Sequence, residues 1–514
     1  MEVILISIEA SPSIFFPIAQ EMLKAKGHTS KYIHIPLMGF DKITDEMIAE
    51  IMPELEKKCE GAGLVAISCM TNTYFGFVKI AHALKKKFDI PIIAGGIHPT
   101  MKPEECAEHA DYVCVGEGEE VLMDVIERLE KGESVYDIDN LCYKKDGKTV
   151  KNPLRELSMD LDIYPSPTFN VETNYMYHNG KIKSFAEDPE LIKIEYGKYY
   201  FIITSRGCPY KCKFCLNHAL INIKNEFRRI RQRSKEHFME ELRNINKILP
   251  KGSTIGFVDD DFCARSTNKM AEIAEMYKKE IDVPFFCAST PTSMNEEKVQ
   301  SLIKAGLMRL EIGVQSISDK VNHEIYNRPS NRDQLVATVK MLEKYRRDLT
   351  LCYDFILDNP WEKDDTRYES LDFALGLVQP VNLFLFSLTL YPGTTLYERA
   401  KQEGMIKNEH GQIYEKNHML LNNSYVNTLF VLYTNYNVPK PIIRALIKTK
   451  DWFLVKQVIG NSTYVLFRAS NFYTGLRDSV KLKDKEMIVY YLKAPFKSVA
   501  KTLQNTVKAI FSFL

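Results

Sequence analysis

No stretch of the 514-residue sequence reaches about 18 uninterrupted apolar residues, so no membrane-spanning helix is expected. Net charge is nearly absent too: 68 Lys+Arg stand against 67 Asp+Glu, a formal +1. The chain as a whole therefore has no electrostatic pull toward nucleic acid or an anionic membrane. There is no internal repeat at a fixed short period and no low-complexity tract. The opening Met1-Glu2-Val3-Ile4 runs straight into an apolar segment, so no secretory leader is expected. Cysteines number 11, an odd count. Eight stand singly: Cys59, Cys69, Cys106, Cys114, Cys142, Cys263, Cys287 and Cys352. Several lie in apolar, strand-like runs, where a free thiol behaves as a small hydrophobe. These features fit a reducing cytoplasm, where clustered thiols point to metal rather than disulfide.

Hydrophobic residues make up 45% and charged residues 26%, the balance of a soluble globular protein. The length predicts two to four domains. The near-zero charge hides an asymmetry. Lys440 to Leu514 carries 14 Lys+Arg and 4 Asp+Glu, an excess of +10, so the rest carries about −9.

The fold class is α/β. Over residues 1–135, strand-like runs (Val3–Ser7, Tyr32–Ile35, Leu64–Ser68, Ile92–Ala94, Tyr112–Val115) alternate with helix-like runs (Ile14–Lys26, Asp45–Lys58, Phe75–Lys87, Pro103–His109, Glu119–Lys131). This alternation predicts a doubly wound parallel, Rossmann-like sheet. Such sheets bind ligands beyond the C-terminal ends of their strands. Residues 136–195, punctuated by Pro153, Pro165 and Pro167, read as a linker with a small strand pair. A second alternation fills 196–395, with strands at Tyr199–Thr204, Thr254–Val258, Pro284–Ala288, Met308–Gly313, Thr350–Ile356 and Asn382–Leu388. Six such units predict an incomplete (β/α)6 parallel barrel. Residues 396–514 are mixed, aromatic and basic, and are expected to be mainly α.

The loop after the first barrel strand reads Ser205-Arg206-Gly207-Cys208-Pro209-Tyr210-Lys211-Cys212-Lys213-Phe214-Cys215. Three thiolates at these spacings can wrap one face of an iron–sulfur cube. Four irons normally take four cysteines, so a local trio leaves one iron open to a substrate amine and carboxylate. Arg206, Lys211 and Lys213 add positive charge near an anionic cluster. The spacing also fits a structural zinc site completed by His218 or a distant Cys; the strand-end position favours the cluster.

With this motif the sequence resembles the radical S-adenosylmethionine (SAM) enzymes, in the branch carrying an N-terminal cobalamin-binding domain. The resemblance covers roughly residues 1–400. It implies a [4Fe-4S] cluster on Cys208, Cys212 and Cys215, with Phe214 near the adenine. It places Asp259 and Asp260 of Val258-Asp259-Asp260-Asp261-Phe262 near the SAM amino group, the other reading being that one of these acids caps the next helix. Gln315 and Ser316 of Gly313-Val314-Gln315-Ser316, and Asp354 of Tyr353-Asp354-Phe355, fall at further SAM-contacting strand ends. Gln315 stands where many relatives carry Glu. Arg231 and Arg233 either reach the SAM carboxylate or lie on a solvated face. Leu390-Tyr391-Pro392-Gly393-Thr394 also looks like this branch.

In the N-terminal half, Gly95-Gly96-Ile97-His98-Pro99-Thr100 and Val115-Gly116-Glu117-Gly118-Glu119 carry the resemblance. It implies cobalamin contacts at Ser11, Ser68, Met70, Thr71, Gly95, Gly96, His98, Gly116, Glu117 and Gly118. Cobalamin-dependent mutases carry a cobalt-ligating His after the first strand; the loop here, Ile8-Glu9-Ala10-Ser11-Pro12-Ser13-Ile14-Phe15-Phe16, has none. A hydrogen bond from His98 to the nucleotide tail or to backbone is expected ahead of cobalt ligation. A sheet that has lost its cofactor is the alternative for the whole domain.

The implied chemistry is reductive SAM cleavage to a 5′-deoxyadenosyl radical, hydrogen abstraction from an unactivated carbon, and methyl transfer from methylcobalamin. The competing expectations are a radical cyclisation or C–C coupling without methyl transfer, and a non-catalytic cobalamin-binding carrier or sensor. No general base is named. An electron donor such as flavodoxin or ferredoxin is the implied partner; nucleic acid is not. In 493–514, Phe496, Val499, Ala500, Leu503, Val507, Ile510, Phe511 and Leu514 fall at helical spacing on one face. This basic amphipathic segment either touches an anionic membrane, which suits an apolar or lipid substrate, or docks on the protein's own core. Localisation is expected to be cytoplasmic, with any membrane contact peripheral.

Overall fold

The computed structural model describes residues 1–36, 44–452, 460, 462–467 and 469–470. The amphipathic segment 493–514 lies outside the described residues. None of the described helices is long and apolar enough to cross a membrane. The chain forms two compact units: Met1–Leu310 with Thr389–Asn417, and Glu311–Leu388 with His418–Leu514.

The first unit begins as the apolar rhythm predicts. Strands β1 (Glu2–Glu9), β2 (Thr29–Pro36), β3 (Leu64–Ser68), β4 (Ile92–Gly95) and β5 (Tyr112–Cys114) alternate with helices α1 (Phe15–Ala25), α2 (Asp45–Cys59), α3 (Tyr74–Lys87), α4 (Ile97–Met101), α5 (Pro103–Cys106) and α6 (Glu119–Lys131). The strands pair in parallel. Residues Val3 to Ile8 of β1 are all buried, as a central parallel strand covered on both faces requires. One face packs Ile4, Ile6, Val65 and Ile67 against Leu55 of α2 and Phe77 and Ile80 of α3. The other packs Val3, Leu5 and Leu64 against Leu23 of α1 and Val121 and Val125 of α6. Helix α6 carries Glu119 and Glu120 in its first turn and Arg128 and Lys131 in its last, matched to the helix dipole, and ends at left-handed Gly132.

The stretch expected to be a linker belongs to this sheet. Two hairpins, β6 (Leu141–Lys145) with β7 (Lys148–Lys151) and β8 (Asn174–His178) with β9 (Lys181–Ser184), extend it to nine strands in the order β7-β6-β5-β4-β3-β1-β2-β8-β9. Their turns are Asp146-Gly147 and Asn179-Gly180, all four residues at positive φ. This is the backbone that two-residue hairpins demand, and these dipeptides supply it cheaply. Helix α7 (Glu190–Tyr196) follows.

The second alternation then starts. Strand β10 (Tyr199–Ile202) leads into a two-residue ladder of β11 (Ser205–Arg206) and β12 (Arg231–Gln232), with α8 (Leu216–Ile223) between them and α9 (Lys235–Asn246) after them. Strands β13 (Thr254–Phe257) and β14 (Phe285–Ser289) pair in parallel with β10 and with each other, respectively. After β15 (Leu307–Gln315), the second unit contains the parallel pair β16 (Thr350–Leu357) and β17 (Asn382–Ser387). These strands match the expected positions to within about two residues at each end, the usual boundary error.

Residues 389–417 rejoin the first unit. Gly393, at φ +82, fits its turn against Met101 of α4 and Ala219 of α8, and an added Cβ would meet both. The Leu396 N–H donates to the Lys213 carbonyl at 3.0 Å. Tyr397, Ile413 and Tyr414 are buried in the same core as α2 and α3. Phe77 is fully buried there. Phe77→Ala should therefore cost about 3–5 kcal/mol, read as a lower urea midpoint in the far-ultraviolet circular dichroism of the purified chain.

Candidate functional site

Two features of the first unit converge. One is the three-cysteine loop; the other is a cavity of about 600 Å³ above the C-terminal edge of the nine-stranded sheet.

The cysteine loop is held by backbone. Gly207 has φ +96, and a Cβ there would run into the carbonyls of Arg229 and Phe227. Only glycine tolerates both constraints. Cys215 is the N-cap residue of α8, its carbonyl accepting from His218 and Ala219. The helix's positive end thus lies beside its sulfur. Cys208 is buried, Cys212 and Cys215 half-buried. Burial pushes the Cys208 thiol up to about 12 and the Cys215 thiol up to about 11. Thiolates in such a pocket require adjacent positive charge, which iron supplies. Among the described residues no three His, Cys, Asp or Glu side chains gather as they would around one metal ion. A cube held by three cysteines takes each sulfur to a different iron, so the three need not converge. The loop fits a cluster on those terms.

The acidic trio after β13 divides its work. Asp259 is buried and accepts from the Thr204 N–H at 3.2 Å, the Thr204 hydroxyl at 2.8 Å and the Ser205 hydroxyl, with the Arg265 guanidinium 3.5 Å away. Asp261 is buried and accepts from Ser289, Thr290 and Ser293 at 2.9, 2.7 and 2.6 Å. Asp260 is exposed. It accepts from the Asn217 amide at 2.6 Å and from the Gly207 N–H. Desolvation by the surrounding walls raises its carboxyl; Asn217 opposes this, and Asp259 and Asp261 add repulsion. Of the expected SAM contacts, Asp260 thus faces the cluster loop, and Asp259 is structural instead.

Arg231 is corrected in the same way. Its side chain is 1% exposed and grips Glu117 with both guanidinium nitrogens, Nη1 at 3.0 Å, while Nη1 also donates to the Ser158 carbonyl at 3.1 Å. Arg233 is no solvated residue either. It donates to His237 Nδ1 at 2.8 Å, Glu241 at 2.5 Å and the Ile203 carbonyl at 3.2 Å. Arg206, expected to face the cluster, instead pairs with Glu119 and lies 3.4 Å from Glu117. In the second unit, Gln315 ends β15 at φ +64, and Asp354 is half-buried in β16. The Ser316 hydroxyl is buried, 3.4 Å from the Ser370 hydroxyl and accepting from the Ser318 N–H at 3.2 Å. Phe214 is half-buried in the cysteine loop.

The cavity wall includes Ser11, Ser68, Gly95, Gly96, Gly116, Glu117 and Gly118, seven of the ten residues expected to touch cobalamin. The glycines make room. At Gly96 (φ +104) an added Cβ would stand 2.8 Å from the Cys69 carbonyl, and at Gly118 it would touch the Phe15 ring at 3.4 Å. Met70, Thr71 and His98 are not in the wall. His98 is fully buried, with Nδ1 3.3 Å from the Thr71 hydroxyl and its ring packed on Tyr74 and Tyr414 at 4.7 and 5.0 Å. Burial lowers it to about 4, with Lys102 adding repulsion and Glu409 opposing. It is a core histidine outside the cavity wall.

Sequence reasoning missed several wall residues. Glu9 accepts from the Ser68 hydroxyl at 3.0 Å, and burial raises its carboxyl. Its backbone carbonyl lies 3.0 Å from His34 Nε2, whose ring is 2.6 Å from Glu195. Phe15, Tyr164, Arg233 and His237 complete the rim. Tyr164 sits in the stretch taken for a linker, which hid it. Glu119 was within the quoted motif, but its target 87 residues away leaves no local signal.

Residues 12–126 match the family described as B12 binding domain, and residues 202–374 match the Radical SAM superfamily. An uncharacterized methyltransferase of Pyrococcus horikoshii is 24% identical over 368 residues, 70% of this chain and 74% of its own length. The bacteriochlorophyllide d C-8(2)-methyltransferase of Chlorobaculum tepidum is 23% identical over 419 residues, 80% of this chain and 82% of its own. Among solved structures, the radical SAM methyltransferase TsrM of Kitasatospora setae superimposes with a TM-score of 0.61 at 17% identity, over 78% of this chain and 76% of its own. The cobalamin-dependent radical SAM enzyme OxsB gives 0.60 at 16%, over 95% and 70%. These two show a shared fold.

Two outcomes follow from the side-chain assignments. Asp259→Asn should destabilise the chain by about 3–5 kcal/mol by leaving buried Arg265 unpaired. Asp260→Asn should stay within about 0.5 kcal/mol of the parent while weakening SAM binding, read by calorimetric titration of the cluster-loaded chain. For His98, the folded value lies below the ordinary 6.5, so the unfolded chain takes the proton first as pH falls. Its contribution is complete above 6.5 and erodes from there toward 4. His98→Phe should flatten the fall in urea midpoint over that window. The chain thus carries a B12-binding domain followed by a radical SAM domain, and the cofactors that these two domains imply are a [4Fe-4S] cluster, SAM and cobalamin.

Proposed function

We propose that this chain is a cobalamin-dependent radical SAM methyltransferase that adds a methyl group to an unactivated carbon of a small apolar or lipid substrate. The observation that carries this reading is the shared wall. Glycine-lined loops of the cobalamin-binding sheet and Arg206, one residue before the Gly207-Cys208 turn, border the same 600 Å³ cavity. When bound, the cluster, reduced by a donor such as flavodoxin or ferredoxin, supplies the electron that cleaves SAM, and cobalamin carries the methyl group.

The chain's own residues bind, orient and exclude water. Cys208, Cys212 and Cys215 would hold the cluster, a trio that would leave room for SAM at it. Asp260, which faces the cysteine loop, would accept from the SAM amino group. Phe214 would pack near the adenine in this reading. Gly95, Gly96, Gly116 and Gly118 let backbone approach the nucleotide tail, and Ser68 and Glu9 offer it polar partners. The apolar wall of Ala66, Ile67, Ile93 and Leu122 excludes water around that tail. The loop over residues 8–16 carries no histidine, so it would offer a bound corrinoid no imidazole. Residues 493–514 are the proposed peripheral membrane contact. The bacteriochlorophyllide methyltransferase relative supports an apolar substrate class.

The test is anaerobic reconstitution with iron, sulfide and hydroxocobalamin, then incubation with methyl-labelled SAM and extract. A labelled product heavier by one CH₂, together with 5′-deoxyadenosine, is expected. A product with no added carbon replaces methylation with a radical cyclisation or coupling. Cys208→Ala, Cys212→Ala and Cys215→Ala should each abolish 5′-deoxyadenosine; turnover surviving all three overturns the reading.

A further inference from the structure

The strand pair that flanks the cysteine loop carries an arrangement that cannot stand alone. In the β11–β12 ladder, Ser205 faces Gln232 and Arg206 faces Arg231. Like charges on directly opposed positions repel. Both arginines are held by acids from outside the ladder. Glu117 grips Arg231 and lies 3.4 Å from Arg206 Nη1; Glu119 grips Arg206. These are enclosed pairs: the Arg231 side chain is 1% exposed, Glu119 2%, Glu117 18% and Arg206 24%. The Arg206 guanidinium also lies 5.6 Å from the centre of the Tyr164 ring. Although burial opposes it, the two arginines keep the Glu117 carboxyl below the usual range.

Glu117 sits on the turn between β5 and α6 and Glu119 opens α6; Gly116, Glu117, Gly118 and Glu119 are all cavity wall. Gly116, at φ +93, is fitted against Phe227, an added Cβ lying 3.7 Å from that ring. Phe227 lies in the segment that returns from the cysteine loop to Arg231, and its carbonyl packs on Gly207. Covalent geometry completes the path, because Arg206 is followed directly by Gly207 and Cys208. A shift of the 116–119 turn therefore drags the ladder, and the ladder sets the entry of the first cluster ligand.

We propose that Glu117, Glu119, Arg206 and Arg231 are positioning residues that couple occupancy of the cavity to order in the three-cysteine loop, so that corrinoid binding and cluster assembly favour each other. This rests on the cavity being the corrinoid site. A corrinoid seated against 116–119 narrows the positions those acids take. The arginines follow, and the Cys208 turn pays less to order around iron. By linkage the effect is reciprocal: a formed cluster tightens the corrinoid site by the same factor.

The experiment titrates hydroxocobalamin by absorbance into the full-length chain, once cluster-free and once with its cluster reconstituted. The dissociation constant should fall by about fivefold or more on cluster assembly. Cobalamin should reciprocally slow iron loss to a chelator. Glu119→Met with Arg206→Met removes both charges at matched volume, a replacement that buried pairs tolerate, and leaves Glu117 on Arg231. In this double variant the two dissociation constants should agree to within about twofold. Independence of the two sites in the parent chain, or an undiminished ratio in the double variant, overturns the proposal. Cobalamin failing to bind either form overturns the corrinoid reading, and the coupling with it.

Discussion

Two arginines and two glutamates, buried together, are the constraint on which the first unit turns. A charge taken from water without a partner costs several kcal/mol. Arg231 and Glu119 are almost fully enclosed. Neither the Gly-Glu-Gly-Glu turn nor the Ser-Arg-Gly-Cys strand could fold as observed without the other. The mutual neutralisation lets a sheet of nine strands and the start of a second α/β array share one wall. It also explains why Arg206 adds little positive charge at the cluster: its partners are carboxylates, not iron.

The acids after β13 show the same economy. The strand ends at Phe257 and the chain turns over residues 260–263, which separates the side chains of the three acids. Asp259 and Asp261 share a fate and are saturated by buried hydroxyls, whereas Asp260 points the other way, toward Gly207 and Asn217. Three identical residues in a row become two structural braces and one that faces the cysteine loop, and the turn that follows the strand separates them.

Much of this was legible in the sequence, for identifiable reasons. Leu64–Ser68 and Glu119–Lys131 were read at their observed bounds, because apolar runs and a capped amphipathic helix are local signals. The cysteine loop was legible because a glycine-cysteine trio has few other uses. The Asp146-Gly147 and Asn179-Gly180 turns were passed over because proline punctuation suggested a linker; the tertiary pairing of their strands has no local signature. His98 was read from its motif as a hydrogen-bonding contact of the cobalamin tail, yet Tyr74 and Tyr414 enclose it, and Tyr414 lies more than 300 residues downstream. Side-chain charge is the least legible feature of all, since Arg206 and Arg231 find partners some 90 to 110 residues away.

The return of residues 389–417 to the first unit carries a consequence for biogenesis. The turn at Gly393 fits against α4 and α8, and Leu396 bonds to the residue between Cys212 and Phe214. During synthesis the ribosome releases the nine-stranded sheet and the cysteine loop long before this brace. A nascent chain halted anywhere short of residue 389 exposes the apolar surface meant for Tyr397 and Tyr414, with its thiols unbraced.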